Sequence, residues 1–526
     1  MSPGRLTGPF GKPEVRAPTA AQAALFDHTA IVERGVPEAA LMENAGQRTA
    51  LIIEHLFPEG RVVALVGSGN NGGDALVCLR ALAAWGRQVI AVTVGGRPRP
   101  DPVLHGWEIP CMRFDPLRPG AREELAGVLA GASVLVDGLL GTGIRGAPRP
   151  PHAEAIGAAN EAPCAVVALD TPSGVDGTTG EVPAEAVRAD VTVAFGWPKL
   201  GTLLHPGRER CGRVVAVEIG FPPREAKDWA RLVTPGWARE VLPRRPAVTH
   251  KYDVGTLAIV AGSAMPGAAI LSARAAFRCG AGLVRVCAAG PAADVLRELP
   301  EALFVDSADK GALRSAVDRS DAVAIGPGLG TGADARRQLD HALEARGSRP
   351  AVIDADALTI LARDARADLA GAVGADTVVT PHPGEMARMT TRAVPDIQRD
   401  RVATARDFAA ANGVVTLLKG TPSLVADPDG RLLLGTRQGG SDLAVAGMGD
   451  VLTGAVGSFL AQRVEPFTAA GLALHVTGRA AARAGLGAAL MPSDVVDGIP
   501  AALGEEGHGD TDLPFSFVTF DQRRGG

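Results

Sequence analysis

Several short segments carry residue types that bind or move charge, and each follows a run of β-branched residues. After VVALVG comes Gly67-Ser68-Gly69-Asn70-Asn71-Gly72-Gly73-Asp74, followed by the helical run ALVCLRALAAWG. Free backbone N–H groups at such a helix start can cradle phosphate, helped by the helix dipole. The paired asparagines add amide groups suited to a cation or a polar ligand. The same turn can also join a strand to a helix with no ligand at all. A second run leads into Asp137-Gly138-Leu139-Leu140-Gly141-Thr142-Gly143-Ile144-Arg145-Gly146-Ala147, and a third into Asp170-Thr171-Pro172-Ser173-Gly174. A lone Asp after a strand is usually a turn-former. Three such loops bring Asp74, Asp137 and Asp170 toward one edge, the carboxyl end of the strands where α/β sheets bind ligands.

The second half repeats the logic with different residues. Val445-Ala446-Gly447-Met448-Gly449-Asp450 precedes the apolar run VLTGAVGSFLAQ. A helix start beside a carboxylate can steady a transferring phosphate while the Asp accepts a proton from an attacking hydroxyl. The bland alternative is an Asp that complements the helix dipole. Lys419-Gly420-Thr421-Pro422-Ser423 follows a strand-like run and offers an ammonium with backbone N–H groups. Pro381-His382-Pro383-Gly384-Glu385 follows another, and its histidine reads equally as structural. Asp354-Ala355-Asp356 and Gly326-Pro327-Gly328-Leu329-Gly330 supply further carboxylates and a turn of close approach.

These loops need elements to hold them. Thr19 to Phe57 has helical spacing of apolar residues, such as Leu41, Met42, Ala45, Thr49, Ile52 and Ile53. Strand-like runs then alternate with helical stretches: Arg61–Val66, Gln88–Val94, Ser133–Val136, Ala165–Leu169, Asp190–Phe195 and Val214–Ile219. That rhythm predicts a parallel sheet flanked by helices. It lapses across Pro222 to Pro246, a proline-rich connection with a boundary expected near Arg231. It resumes with Thr256–Ala261, a helix from Ala268 to Cys279, then Leu283–Cys287, Ala322–Ile325, Ala351–Ile353, Thr377–Val379 and Val414–Leu418. Glycine spacings differ between the halves, so two unlike α/β domains fit better than a duplication. Beyond Gly504 the tail is either frayed or docked.

Composition agrees. A chain of 526 residues is too long for one ordinary core. Its 53 basic and 58 acidic residues are interspersed, with net charge −5, so no footprint for nucleic acid or anionic membrane is expected. Cys78, Cys111, Cys164, Cys211, Cys279 and Cys287 are too scattered for a zinc site or a disulfide scaffold, and read as reduced, mostly buried thiols. No signal-like or membrane-length apolar run is visible, which leads us to expect a cytoplasmic protein.

LMENAG at 41–46, GSGNNGGD, VDGLLGTG, LDTPSGVDG and GWPKLG at 196–201 resemble the nicotinamide-hydrate epimerase family over about the first 220 residues. The resemblance implies that Asn70, Asn71, Gly72, Gly73, Asp74, Gly141, Thr142, Gly143, Ile144, Arg145, Gly146, Ala147 and Asp170 hold a hydrated dinucleotide. It also implies a potassium ion among Asn71, Asp137 and Ser173, with Asp170 transferring the proton. Lys199 is either a supporting charge or an exposed lysine capping a strand. Asp74-Ala75 departs from the family's usual Asp-Gly, and Ala cannot take a positive φ cheaply.

HKYDVG, AGSAMPGAA, DADAL, PHPGE, LLKGT and GMGD, in that order over about residues 240 to 500, resemble the ADP/ATP-dependent nicotinamide-hydrate dehydratase family, of ribokinase-like fold. By that resemblance Ala268, Gly328, His382 and Asp450 contact the hydrated dinucleotide. Lys419, Gly420, Thr421, Pro422, Ser423 and Gly449 bind ADP or ATP, with magnesium, and Asp450 is the base. Gly440, Val445 and Ala446 stand where the family often has Asn, Thr or Ser, and Gly. The expectation is thus a Rossmann-like three-layer domain over 1–230 and a ribokinase-like α/β domain over 235–510. A homo-oligomer acting on NADHX and NADPHX is expected. The competing reading is a ribokinase-like small-molecule kinase joined to a dinucleotide-binding module.

Overall fold

The computed structural model describes residues 14–98, 101–144, 146–223, 226–262, 265–290, 297–363, 369–435, 442–504 and 516–520. The chain forms two compact units. One runs to Ala230 and takes in the strand Ser516–Phe520, and the other begins at Arg231.

The first unit is built on β1 (Val62–Val66), β2 (Val89–Val94), β3 (Cys111–Phe114), β4 (Val134–Gly138), β5 (Ala165–Leu169), β6 (Val191–Phe195) and β7 (Arg213–Val217). These strands are parallel in the order β3-β2-β1-β4-β5-β6-β7. Alternation along β1 divides the core. Val62, Ala64 and Val66 pack with α2 (Glu38–Leu56) and α3 (Asn70–Ala84). Val63 and Leu65 face the other way, toward α4 (Ala121–Ala130) and α5 (His152–Glu161). Helices on both faces make three layers, and the strand order reverses between β1 and β4, as in a Rossmann-like sheet.

One expectation changes here, one open alternative is decided and one strand is added. The Asn-Gly segment is the first turn of α3 rather than a loop, so Ala75 lies inside a helix where no positive φ is needed. Strand β3 escaped the sequence reading because CMRF lacks β-branched residues. The thiols are free and mostly buried, as expected, with Cys111 exposed and Cys164 half-buried. The tail is docked in part, since Ser516–Phe520 adds an antiparallel edge strand against β7, beyond the point where the second domain was expected to end.

The second unit holds β8 (Ala230–Leu232), β9 (Thr256–Val260), β10 (Leu283–Ala288), β11 (Leu303–Asp306), β12 (Ala322–Ile325), β13 (Ala351–Ile353), β14 (Thr377–Val379), β15 (Val415–Leu418), β16 (Leu424–Ala426) and β17 (Leu432–Leu434). Their order is β8-β17-β16-β15-β14-β13-β12-β9-β10-β11, and only β16 runs antiparallel to its neighbours. This is the ribokinase-like arrangement, with its own reversal between β9 and β12. Helices α6 (Pro266–Arg278) and α7 (Met448–Ala461) pack on one face through Ala269, Ala273, Val451, Ala455 and Phe459. Small alanines on α6 and glycines on α7 let the helices approach closely. No helix among the described residues is long and apolar enough to cross a membrane.

Candidate functional site

In the first unit the β1–α3 turn, the ends of β4 and β5, and α1 (Ala20–His28) and α2 enclose a cavity of about 520 Å³. A Cβ at Gly67 would strike the Leu139 carbonyl, so glycine is what lets the β1 turn lie against the end of β4. Asn71 ties three strand ends together: its Nδ2 donates to the carbonyls of Leu140 (2.9 Å) and Leu169 (3.2 Å). Asp137 is fully buried. It accepts from Ser173 Oγ (2.6 Å), Ser173 N–H (2.8 Å) and Leu139 N–H (3.2 Å). Burial pushes its pKa up, against those hydrogen bonds. No basic side chain answers it among the described residues. An anionic carboxyl so placed suits a bound cation.

Asp170 sits at the end of β5 with φ 62, a conformation that Asp tolerates better than most residues. Its Oδ1 accepts from Phe195 N–H (3.0 Å) and from the Lys199 ammonium. Lys199 is only 5% exposed and also donates to the Phe195 carbonyl at 3.0 Å. Lys199 is therefore a buried partner of Asp170, not a surface cap.

Among the residues expected here, Asn70, Asn71, Asp74, Gly141, Thr142, Gly143, Ile144 and Asp170 line the cavity. Gly72 and Gly73 lie behind it, against the Gly67 carbonyl and Met42. Gly146 and Ala147 are not on its wall, and Arg145 lies outside the described residues. Three groups escaped the sequence reading. Arg97 Nη1 holds the carbonyls of Gly67 (2.8 Å) and Gly69 (3.0 Å). Glu38 accepts from Asn70 Nδ2 at 2.7 Å. Asp27, on α1, opens onto the cavity. The one hint of Asp27 was an acid set beside apolar helix positions.

In the second unit a cavity of about 470 Å³ lies beside the β15 turn and the start of α7. Lys419, Gly420, Thr421, Ser423, Gly449 and His382 line it. Lys419 Nζ donates to Asp354 Oδ1 (2.7 Å) and stands 3.8 Å from Glu385. Burial works against its charge, but Asp354 and Glu385 raise its pKa on balance. Asp354 also accepts from Thr453 on α7 (2.7 Å). The turn itself is held by buried Arg401, whose Nη2 donates to the carbonyls of Leu418, Lys419 and Pro422 at 3.0–3.3 Å. No local pattern announces Arg401, because its partners are distant in sequence.

Asp450 lies in the first turn of α7, and its pKa is pushed up to about 6. Burial is the main cause, with Asp354 and Asp356 adding repulsion and Lys419 opposing. His382 caps its own helix: its Nδ1 accepts from Gly384 N–H (3.0 Å), so a neutral ring keeps its proton on Nε2. Burial, then Lys419 and Arg388, lower its pKa and keep it neutral. Gly328 adjoins Ala268, and Gly330 N–H donates to Asp356 (2.8 Å). Ser272, one turn after Ala268, donates to the Asp450 carbonyl (2.9 Å). Ala268, Gly328 and Asp450 do not line the cavity itself. Val445 and Ala446 give it an apolar rim, and Gly440 lies outside the described residues.

Two family models match, one described as YjeF-related protein N-terminus over residues 38–201 and one as NAD(P)H-hydrate dehydratase over residues 257–500. The bifunctional NAD(P)H-hydrate repair enzyme Nnr of Moorella thermoacetica is 36% identical, covering 92% of this chain and 96% of its own. Its namesake from Pyrobaculum aerophilum is 38% identical over 89% and 94%. Among solved structures, the ADP/ATP-dependent NAD(P)H-hydrate dehydratase from Bacillus subtilis, co-crystallized with ATP/Mg2+, is 30% identical over 52% of this chain and 97% of that one, with a TM-score of 0.46. By identity along nearly its whole length, the chain belongs to the bifunctional NAD(P)H-hydrate repair enzyme family.

Proposed function

We propose that this chain repairs hydrated nicotinamide dinucleotides, NADHX and NADPHX. The first unit interconverts the R and S epimers at C6. The second dehydrates the S epimer with ADP or ATP as phosphoryl donor. One observation carries the reading: each sheet gathers a buried lysine–aspartate pair at its carboxyl edge, Lys199 with Asp170 and Lys419 with Asp354 beside Asp450.

In the second site the C6 hydroxyl is a poor leaving group until it is phosphorylated. Asp450 accepts its proton, and a carboxyl with pKa near 6 is ionised at neutral pH yet more basic than an ordinary Asp. Lys419 and the N–H groups from Gly420 to Ser423 hold the nucleotide phosphates, with Pro422 shaping the turn. Gly449 and the α7 dipole face the transferring group. His382, Ala268 and Gly328 bound the hydrated ring. No three His, Cys, Asp or Glu side chains gather as a metal set among the described residues. Asp354, Glu385 and Asp450 are the carboxylates that would help hold magnesium, which would offset phosphate charge.

In the first site Asp170 contacts the hydrate and transfers the proton, oriented by Lys199 and Phe195 N–H. Asn71, Asp137 and Ser173 would hold potassium, whose charge would answer buried Asp137; hard oxygen ligands with one carboxylate suit such an ion. A cytoplasmic setting, a homo-oligomeric assembly and the absence of nucleic-acid partners belong to the same proposal. Incubation with mixed epimers, with and without ADP or ATP, tests it by the absorbance of restored reduced nicotinamide. A stable phosphorylated product without that absorbance would favour a small-molecule kinase instead.

A further inference from the structure

The first site contains an acid that its loops do not supply. Helix α1 begins with a capping box, Thr19 Oγ1 accepting from Gln22 N–H and Gln22 returning to Thr19 N–H. It is pinned beside the segment bearing Lys199, where Leu200 N–H donates to the Pro18 carbonyl at 2.8 Å. Ala20 N–H donates to Thr178 Oγ1 at 3.1 Å. Buried Phe26 then locks the helix rotation, with ring centroids 4.9 Å from Phe221 and 5.6 Å from Trp229. The next residue, Asp27, opens onto the cavity whose wall also holds Asp74, Asp170, Lys199 and Glu38.

We propose that Asp27 is the proton donor of the first site, acting opposite Asp170; this assignment rests on the epimerase reading above. C6 of the substrate bears both a hydroxyl and the ring nitrogen N1. Asp27 gives its carboxyl proton to the hydroxyl as the C6–O bond breaks. The bond pair leaves with oxygen as water, and the N1 lone pair closes a C6=N1 double bond, leaving C6 planar. Water adds to the opposite face, a new C6–O bond forms, the double-bond pair returns to N1, and Asp170 takes the proton. Exchange with solvent resets both carboxyls, and the reverse reaction retraces the path.

Geometry distinguishes Asp27 from Asp74. Both carboxyls are on the cavity wall, but Asp27 is exposed there whereas Asp74 is buried in the first turn of α3. Asp27 keeps an exposed face, and the protein packed around the rest of it raises its pKa to about 6, with Lys199 opposing the rise and Asp170 adding to it. Burial, with Asp170 repulsion, holds Asp74 well above the ordinary range, so it gives up a proton reluctantly. A general acid works best with pKa near the working pH. Pairs of carboxyls with separated environments are what acid–base catalysis requires.

The test compares Asp27→Asn and Asp74→Asn in the full chain, measuring epimerisation from pH 5 to 9 with the spontaneous rate subtracted. For the wild type, kcat should fall as pH rises through about 6, where the acid is lost. Asp27→Asn should lower kcat on the order of 10²-fold or more and abolish that fall, with KM little changed and thermal unfolding close to wild type. An Asp27→Asn protein with wild-type kcat, or with the same pH dependence, overturns the assignment. So does loss of the pH dependence in Asp74→Asn alone. A wild type inert toward both epimers sinks the epimerase reading and this one with it; an active wild type beside an equally active Asp27→Asn sinks this one alone.

Discussion

Replacing Asp450 by Asn should make the second unit both inactive and more stable, and the size of each effect follows from its surroundings. The carboxyl is raised from the ordinary 3.8 to about 6 by burial and by Asp354 and Asp356. That shift corresponds to roughly 3 kcal/mol by which folding disfavours the ionised form. Partial exposure and solvent screening reduce the recoverable part to about 1–2 kcal/mol. Because the folded pKa is the higher one, the penalty is absent below about pH 4, where the carboxyl is protonated folded and unfolded alike. It grows between there and about 6 and is complete above. Asn mimics the protonated form, so the second unit's unfolding should move up by roughly 2–4 °C per kcal/mol at pH 7.5 and not at pH 4. Dehydration should fall by about 10²–10⁴-fold, followed as restored nicotinamide absorbance with saturating ADP or ATP, while epimer exchange continues. A variant less stable than wild type at pH 7.5, or a stability gain unchanged at pH 4, would refute the electrostatic account. Near-normal dehydration in the folded variant would remove Asp450 from the mechanism.

Epimerisation should fall when potassium is replaced by a large organic cation at matched ionic strength, and Asp137→Ala should weaken both the ion response and turnover. Equal rates in either cation would count against the site, and lower stability with an unchanged ion response would leave Asp137 as a loop clamp only. Gly420→Ala should cost about 1–3 kcal/mol in strain, because φ is 137 and a Cβ would lie 2.7 Å from Arg401 Nη2. Calorimetric titration with ADP or ATP should show weakened binding, and unaltered affinity would detach that turn from the nucleotide. Truncation after residue 506 should uncover the edge of β7, lower the first unit's melting temperature and promote association seen by light scattering. Residues 1–230 expressed alone should share that defect, whereas residues 226–526, which keep β8 against β17, should fold and retain dehydration; an unchanged first-unit transition on truncation would argue against the pairing.

Much of both sites could be read along the chain because their chemistry sits in contiguous strand-end turns. Asn71, Asp170, Lys419 and Asp450 were legible since a strand, a glycine turn and a helix each leave a short-range mark. The strands around them were legible too, and their boundaries shift by at most one residue apart from the ends of β4 and β7, which shift by two. What periodicity could not reveal is what long-range contact creates. Short β16 and β17 have no amphipathic length to mark them, and β3 lacks β-branched residues. Arg97 and Arg401 matter because their guanidinium groups reach carbonyls of other elements, and nothing beside them in sequence says so. Lys199 looked equally like a surface cap until folding buried it against Asp170, 29 residues away. Asp27 belongs to a helix read only as amphipathic, and it enters the cavity because Phe26 is fixed among aromatics nearly 200 residues distant. The docked tail strand is the extreme case: its partner β7 lies some 300 residues earlier. Local periodicity records which face each residue turns inward, but only tertiary packing decides which distant group it meets there.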